Sequence, residues 1–454
     1  IAFCPFFQHK NLVSVDHGPN QGVPRVKLAI IGAASSYTPE LIDGLFLWLH
    51  KIPVSHVWMM DPNVDRLSIT SNFARRMAAA NGKPFEIHHT DRLARAVEGA
   101  DFVVTQIRVG GLQARIADEK LGLRHGIIGQ ETTGVGGFAC ALRTIPPILK
   151  VAREMEKRSP RAVLVNFTNP SGIVTEALIK HSKIKSVGLC NVPIGMIMDI
   201  VKHTGCKMED VDLDYVGLNH LAWIRGFKCA GKDITAQALA KFWELAVEEW
   251  QVEVVRENMI EAMRSLNMVC NPYLQYYYAT QAVLDHLKKK KKTRGEEVLG
   301  VEKALFTKYA QPARSTKPEE LSKRGGAHYS TAAFHLISAM HNNTGNRQIV
   351  CCRNAGAIPT FDKEASVEIP ARIDKRGATA LPQAVPEPAI RGLMQVVKAY
   401  ESLTVEAAVT GNRKKAFQAM LTHPLMPGAT GCKALLDELL DINRPYVNPK
   451  LFKT

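Results

Sequence analysis

A cysteine and a histidine thirty residues apart carry the chemistry most readily read from this sequence. Cys190 stands in Cys190-Asn191-Val192-Pro193 and His220 in Gly217-Leu218-Asn219-His220. Each follows an apolar, strand-like stretch, over 186–190 and 213–218, at the carboxyl end where open α/β sheets place their ligands. A thiolate and an imidazole with open positions suit a divalent transition metal that also binds substrate oxygens. Two protein ligands are few, so the substrate would complete the shell. The alternative is that both are ordinary buried side chains.

A second pattern opens at Val26. Residues 26–32, Val-Lys-Leu-Ala-Ile-Ile-Gly, read as a buried parallel strand ending at a glycine. The turn Gly32-Ala33-Ala34-Ser35-Ser36 is a reduced dinucleotide-binding loop, with alanine where a second glycine would let backbone approach pyrophosphate. Gly32, Ser35 and Ser36 are the candidate cofactor contacts there. Asp61, at the end of a second strand over 56–60, can accept hydrogen bonds from ribose hydroxyls and would repel a 2′-phosphate. That favours NAD over NADP.

Four further groups have two readings each. Asn169, in Asn166-Phe167-Thr168-Asn169-Pro170, is either a helix-opening residue or a ligand donor, its backbone biased toward a turn by the proline. Arg108 and Arg115 flank Val109-Gly110-Gly111, where a guanidinium either forks onto a phosphate or hydroxyl pair or is simply solvated. The run Gly129-Gln130-Glu131-Thr132-Thr133-Gly134-Val135-Gly136-Gly137 holds more glycine than a core segment tolerates, and reads as a loop that either lies against a ligand or moves over one. Tyr273, beside Tyr276, Tyr277 and Tyr278, is either helix packing or a base whose pKa a nearby metal and arginine would lower.

Positioning these residues requires alternating strands and helices. Strands over 26–32, 56–60, 85–88, 102–107, 162–167 and 186–190 are separated by helical stretches, notably 142–158 and 171–181. This predicts a doubly wound parallel sheet. After about residue 205, strands over 212–227 give way to helical runs over 236–266, 273–287, 318–339 and 388–420. The expected class is α/β, with an N-terminal Rossmann-like doubly wound sheet over 25–205 and a mixed α/β, largely helical C-terminal domain over 206–454. Residues 1–24 read as a loosely attached extension, with an apolar patch at 1–7 but no basic leader or clean cleavage site. Residues 285–300 read as the least structured interior stretch, and 365–387 as a surface loop.

Composition sets outer bounds. A chain of 454 residues is too long for one ordinary core, and 46% hydrophobic with 22% charged residues is globular. No apolar run reaches the roughly 18 residues a membrane helix needs, so no membrane partner is expected. The net charge is +15, much of it near Lys288–Lys292, which reads as a solvated loop or helix end. No zinc-finger spacing or RNA-binding signature accompanies it, so no nucleic-acid partner is expected. A basic surface equally attracts anionic substrates such as sugar phosphates. The nine cysteines are scattered without a CxxC pair, which suggests neither a disulfide framework nor a zinc ribbon, and a reduced cytoplasmic setting.

Taken together, these motifs resemble glycoside hydrolase family 4, the NAD- and Mn²⁺-dependent glycosidases, from about residue 26 to 339. The residues that carry the resemblance begin with Ile31-Gly32-Ala33-Ala34-Ser35-Ser36-Tyr37-Thr38-Pro39-Glu40-Leu41, Ile107-Arg108-Val109-Gly110-Gly111 and Gly129-Gln130-Glu131-Thr132. Asn166 to Pro170, Cys190 to Pro193, Gly217 to His220, Asn271-Pro272-Tyr273-Leu274 and Arg324-Gly325-Gly326-Ala327 follow in order. Their joint order and spacing is specific where each alone is not.

The resemblance implies an architecture like that of lactate and malate dehydrogenases, with NAD and Mn²⁺ or another divalent metal as cofactors. It implies Cys190 and His220 as metal ligands, Arg115, Asn169 and Arg294 as substrate-binding residues, and Tyr273 as the base that takes a proton from sugar C2. Members acting on α-linked phosphoglucosides tend to carry aspartate after the metal cysteine. Asn191 there looks like the 6-phospho-β-glucosidase branch, and it cannot serve as a carboxylic acid. The implied reaction is oxidation at C3, deprotonation at C2, elimination at C1, water addition and return of the hydride, with hydrolysis as the net result. A phosphorylated disaccharide or β-glucoside is the implied substrate, and a homodimer or homotetramer the implied assembly. Other family specificities, 6-phospho-α-glucosidase or α-galactosidase, stay open. So does a 2-hydroxy-acid dehydrogenase, to which the Rossmann half alone is similar.

Overall fold

A computed structural model describes residues 25–325 and 328–453, without the side chains of 245–249. The extension expected over 1–24 lies outside the described residues. Six strands, β1 (Val26–Ile31), β2 (Val54–Met60), β3 (Glu86–Thr90), β4 (Phe102–Thr105), β5 (Val163–Asn166) and β6 (Lys185–Gly188), pair in parallel in the order β3-β2-β1-β4-β5-β6. β1, β4 and β5 are almost wholly buried apolar runs, as the centre of a helix-covered parallel sheet demands. The chain reverses its direction of winding between β1 and β4, which opens a crevice at their carboxyl ends. The expected α/β class and Rossmann-like sheet are therefore observed.

A second, antiparallel sheet follows: β7 (Val211–Leu218), β8 (Leu221–Cys229), β9 (Lys232–Asp233) and β10 (Val269–Cys270), in the order β10-β8-β7 with β9 on β8. The first sheet does not stop at β6. Strands β11 (Asn346–Arg353), β12 (Ser366–Asp374) and β13 (Gly377–Ala380) extend it to nine strands, β11 joining β6 through Cys351 opposite Gly188. The rest of the C-terminal half is largely helical.

Several local expectations are corrected. Residues 365–387 hold two strands because the charged and proline-bearing Val367-Glu368-Ile369-Pro370 is buried and satisfied internally. Residues 285–300 are mostly helical: one helix ends at Lys289, and Arg294–Tyr309 starts at a capping box between Thr293 and Glu296. The lysine run does form an exposed helix end. The run over 236–266 is two helices, Thr235–Glu249 and Glu253–Leu266. Glycines 134, 136 and 137 belong to the first turn of a 25-residue helix, Gly134–Arg158. A Cβ on Gly136 would lie 1.9 Å from the Gln130 carbonyl oxygen, so glycine here permits close packing. That helix is the one described helix long and apolar enough to cross a bilayer, and 83% of its 18-residue window is buried inside the fold. Cys206 and Cys229 form a disulfide, which the scattered cysteine spacing did not suggest.

Candidate active site

The turn after β1 is built around Gly32. Its φ is +90°, and a Cβ would sit 2.8 Å from the Gln106 backbone, so no other residue fits. The amides of Gly32 and Ala33 donate to the Met60 carbonyl at 2.9 and 3.0 Å. Asp61 accepts from the amides of Ala34 (3.2 Å) and Asn63 (2.9 Å). Burial raises its carboxyl pKa, against these two amides and Arg66. Gly32, Ser35 and Asp61 line a cleft of about 880 Å³, along with Arg108, Asn169 and Arg324. Ser36, the fourth expected cofactor contact, does not. It is fully buried, donates to Glu302 Oε1 (2.8 Å) and accepts from Arg324 Nε (2.7 Å).

Cys190 caps the helix Asn191–Thr204 directly after β6, its Sγ accepting from the Val192 amide at 3.5 Å. His220 sits in the link between β7 and β8 at φ +127°, a conformation that costs a non-glycine residue roughly 1–3 kcal/mol. Its Nε2 is 3.4 Å from Cys190 Sγ and its Nδ1 is 3.1 Å from Thr132 Oγ1. The Thr132 hydroxyl gives its single proton to Gln130 Oε1 at 2.9 Å. Thr132 is therefore the acceptor for Nδ1–H, and the Nε2 lone pair faces the sulfur.

This arrangement fits a divalent transition metal. Burial lowers His220 to about 4, against the pull of Glu131, so the ring is a neutral donor at pH 7. Burial pushes the Cys190 thiol well up, with Glu368 adding to the rise. A bound cation is what draws the proton off such a thiol. Thr132 orients the imidazole from outside, as partners of metal-binding histidines do. Asn219 is locked on the other side: its Oδ1 accepts from the Gly172 amide (3.2 Å) and its Nδ2 donates to Glu368 Oε1 (3.0 Å).

Tyr273 lies in the 3-10 turn Pro272–Leu274, where Asn271 Oδ1 accepts its amide at 3.0 Å. Its ring stacks on His220, 3.8 Å between centroids. Burial raises the phenol well above its ordinary value, with Tyr276, Glu131 and Cys190 adding to the rise and Arg115 opposing them. The chain alone thus moves Tyr273 away from basicity, opposite to the lowering that base chemistry needs. Arg115 bonds Glu119 through Nε (2.8 Å) and Glu131 through Nη1 (2.9 Å).

Glu131 was passed over in the sequence, yet it joins the cleft to the metal-type pair. It accepts from Arg108, on the cleft, at 2.8 Å, and from Arg115. Burial pushes its carboxyl up, but Arg108 and Arg115 outweigh that and hold it at about 2. The available signal was two arginines seven residues apart with no acid between that could pair both. Asn169 lines the cleft, and its carbonyl accepts from Cys140 Sγ at 3.4 Å. Arg294 does not line it. Its guanidinium is half-exposed and bonded to Glu297 (3.1 Å) and the Lys323 carbonyl (3.0 Å), whereas Arg324 does face the cleft. The structure therefore gathers Gly32, Ser35, Asp61 and Asn169 on the cleft, brings Cys190, His220 and Tyr273 together as a second group, and ties Arg115 to the cleft-lining Arg108 through Glu131. Ser36 and Arg294 stand apart.

A Rossmann-like sheet beside a thiol–imidazole pair defines the class, and comparison with known proteins gives the family. The chain matches the family 4 glycosyl hydrolase profile over residues 27–206 and the family 4 C-terminal domain over 215–426. The chain belongs to glycosyl hydrolase family 4. It is 38% identical over 442 residues to a probable 6-phospho-β-glucosidase of Bacillus subtilis, covering 94% of this chain and 98% of that one. A 6-phospho-α-glucosidase of Leptotrichia buccalis is 30% identical over 443 residues, covering 93% and 98%. The 6-phospho-β-glucosidase of Thermotoga maritima, solved with manganese, NAD⁺ and glucose 6-phosphate, superposes with a TM-score of 0.85 at 36% identity, covering 93% of this chain and 99% of that one. Malate dehydrogenase of Plasmodium falciparum shares the fold alone, at a TM-score of 0.50 and 13% identity over 87% of this chain and 99% of that one.

Proposed function

We propose that this chain hydrolyses 6-phospho-β-glucosides with NAD and a divalent metal, manganese foremost, as its cofactors. The observation that carries the reading is the pairing of Cys190 Sγ with His220 Nε2 at 3.4 Å, stacked against Tyr273, in a chain that also holds a dinucleotide-type cleft. The ligands of the Thermotoga relative support the cofactors, and the higher identity to the β-acting relative supports the linkage. Asn191, where α-acting members tend to carry aspartate, supports the same branch.

In this reading, Cys190 Sγ and His220 Nε2 hold the metal, and Thr132 keeps the imidazole lone pair aimed at it. Asp61 takes the ribose hydroxyls while the backbone at Gly32 and Ser35 approaches the pyrophosphate. When bound, the nicotinamide and the metal supply hydride transfer at sugar C3 and polarisation of the oxygen there. Tyr273 acts as the phenolate, a charge that Arg115 favours, and its Oη takes the proton from C2 to become a neutral phenol. Arg115 and Asn169 orient the sugar. Arg294 is a phosphate contact reached from outside the cleft, beside Lys323 and Arg324. Glu131, ionised throughout, keeps Arg108 and Arg115 from turning onto the substrate's leaving group. Asn191 donates no proton as an acid, so the leaving group is protonated from elsewhere.

The test is release of p-nitrophenol from its 6-phospho-β-glucoside, with and without NAD⁺ and Mn²⁺ under reducing conditions. Activity that needs both additions and is absent on unphosphorylated and α-linked analogues supports the reading. Cleavage of the α-linked analogue instead moves the branch. No cleavage of any glycoside, with steady NADH formation from hydroxy acids, overturns it. We propose a cytoplasmic setting, since a phosphorylated sugar and a nicotinamide cofactor are intracellular metabolites, and no nucleic-acid or membrane partner. A homodimer or homotetramer is the assembly we propose, read by light scattering.

A further inference from the structure

Strands β2 and β3 carry a second set of metal-type ligands, away from the cleft. Their register sets His56 opposite Glu86 and Trp58 opposite His88, so all four side chains leave one face of the sheet. His56 Nδ1 lies 3.4 Å from His88 Nε2 and 3.6 Å from Glu86 Oε2, and His88 Nε2 lies 3.2 Å from Glu86 Oε2. Ligands held at about 2.0–2.1 Å in a tetrahedral zinc site stand about 3.3–3.4 Å from one another. The three atoms thus already mark one face of such a tetrahedron. Side-chain exposures of 41% for His56, 70% for Glu86 and 36% for His88 leave the fourth corner to solvent.

The surroundings favour this geometry over a chance cluster. The Trp58 ring stacks on His88 at 4.7 Å and 20°, which fixes the imidazole plane. Lys27 and Arg95 lie over the Trp58 ring, at 4.7 and 5.4 Å from its centroid, and neither is ion-paired to Glu86. Among the described residues β3 is the outer strand of the nine-stranded sheet, with its one ladder to β2. A metal shared by the two strands would cross-link that edge. His56 precedes Asp61 by five residues, roughly 16 Å along a strand, so the cluster shares no ligand with the Cys190–His220 pair.

We propose that His56, Glu86 and His88 form a second divalent-metal site with an open water position. Two imidazoles and one carboxylate suit zinc, nickel or copper(II), and discriminate against magnesium and calcium, which take oxygen ligands. The site acts as a clip on the sheet edge and takes no part in the hydrolytic reaction.

Zinc is the probe. Metal-stripped, reduced protein is dialysed against zinc at a few fixed concentrations, and bound zinc per chain is counted by atomic emission. Wild-type chain is expected to bind two zinc ions, and His56→Ala/His88→Ala one, with p-nitrophenol release under manganese unchanged. Cys190→Ser, lacking the thiolate, should retain one zinc, and Cys190→Ser/His88→Ala should lose it with at least a tenfold fall in affinity. Cobalt substitution gives a separate reading, since Cys190→Ser should show visible d–d bands without a sulfur charge-transfer band. Equal zinc counts in wild type and His56→Ala/His88→Ala overturn the proposal, as does the absence of those cobalt bands.

Discussion

The imidazole of His220 lies nearly flat on the phenol ring of Tyr273, with 3.8 Å between centroids and 14° between planes. One face of the histidine proposed to hold the metal is therefore defined by the residue proposed to move the C2 proton. A change in either ring is felt by the other, and the hydroxyl alone separates packing from chemistry.

Tyr273→Phe keeps the stacked ring and removes only Oη. We expect kcat for the phospho-β-glucoside to fall about 10²–10⁴-fold, the range for loss of a positioned base, while manganese affinity holds. Steady-state kinetics beside a manganese titration checks it. Unchanged kcat would remove Tyr273 from the proton-transfer role.

Thr132→Val leaves the His220 Nδ1–H without its acceptor and frees the ring to turn. Manganese affinity should drop about 10–100-fold, the usual cost of losing a partner outside the metal shell. With saturating metal, kcat should largely recover. Chelation of the wild-type chain should abolish activity, and added Mn²⁺ should restore it.

Glu131→Gln leaves the half-buried Arg108 guanidinium without its carboxylate, and leaves Arg115 with Glu119 alone. Removing one partner of a fully buried ion pair costs about 3–5 kcal/mol, and partial exposure brings the expected loss here to about 1–3 kcal/mol. Denaturant unfolding is the measurement, and a change under 1 kcal/mol would show that water reaches the arginines freely.

Acid should destabilise the fold in a defined window. Burial pushes Glu131 and Glu176 up, but Arg108 with Arg115, and Lys398 with Lys180, outweigh it and hold each at about 2, below the ordinary 4.5. A depressed carboxylate contributes its full stability above the unfolded value and loses it as pH falls through the folded one. Melting temperature should decline between about pH 4.5 and 2, and the decline should be shallower in Glu131→Gln.

Gly32→Ala would force a side chain onto the Gln106 backbone at a φ that alanine disfavours. We expect a loss of roughly 1–3 kcal/mol in stability together with weaker NAD binding. Nicotinamide fluorescence titration against thermal melting separates the two effects.

The parts of this protein legible in its sequence are those governed by local periodicity. Val26–Gly32 and the residues up to Cys190 announce a parallel sheet because buried strands are runs of Val, Ile and Leu. Cys190 and His220 stand out because reactive types follow such runs. Ser36 could not be told from Ser35, since one backbone step turns its hydroxyl onto Glu302 and Arg324, residues hundreds of positions away. Glu131 hid in a glycine-rich run, and its meaning depends on two arginines packed against it only in the fold. β12 was missed because Glu368 and Pro370 suppress a strand pattern. Tyr215 donates to that glutamate at 2.6 Å and Asn219 at 3.0 Å, which makes its burial tolerable.

Strand β6 is flanked on one side by β5 and on the other by β11, contributed from more than 150 residues further along the chain. A fragment ending near residue 206 would strip that side of β6 of its bridge at Gly188 and of the strands β11–β13 that cover it, leaving the sheet edge open. Such a bare edge recruits strands from other molecules. The nucleotide-binding half is thus no portable cassette: expressed by itself, it should aggregate, and gene truncation or fusion between the two family segments parts β6 from the strands that cover its edge.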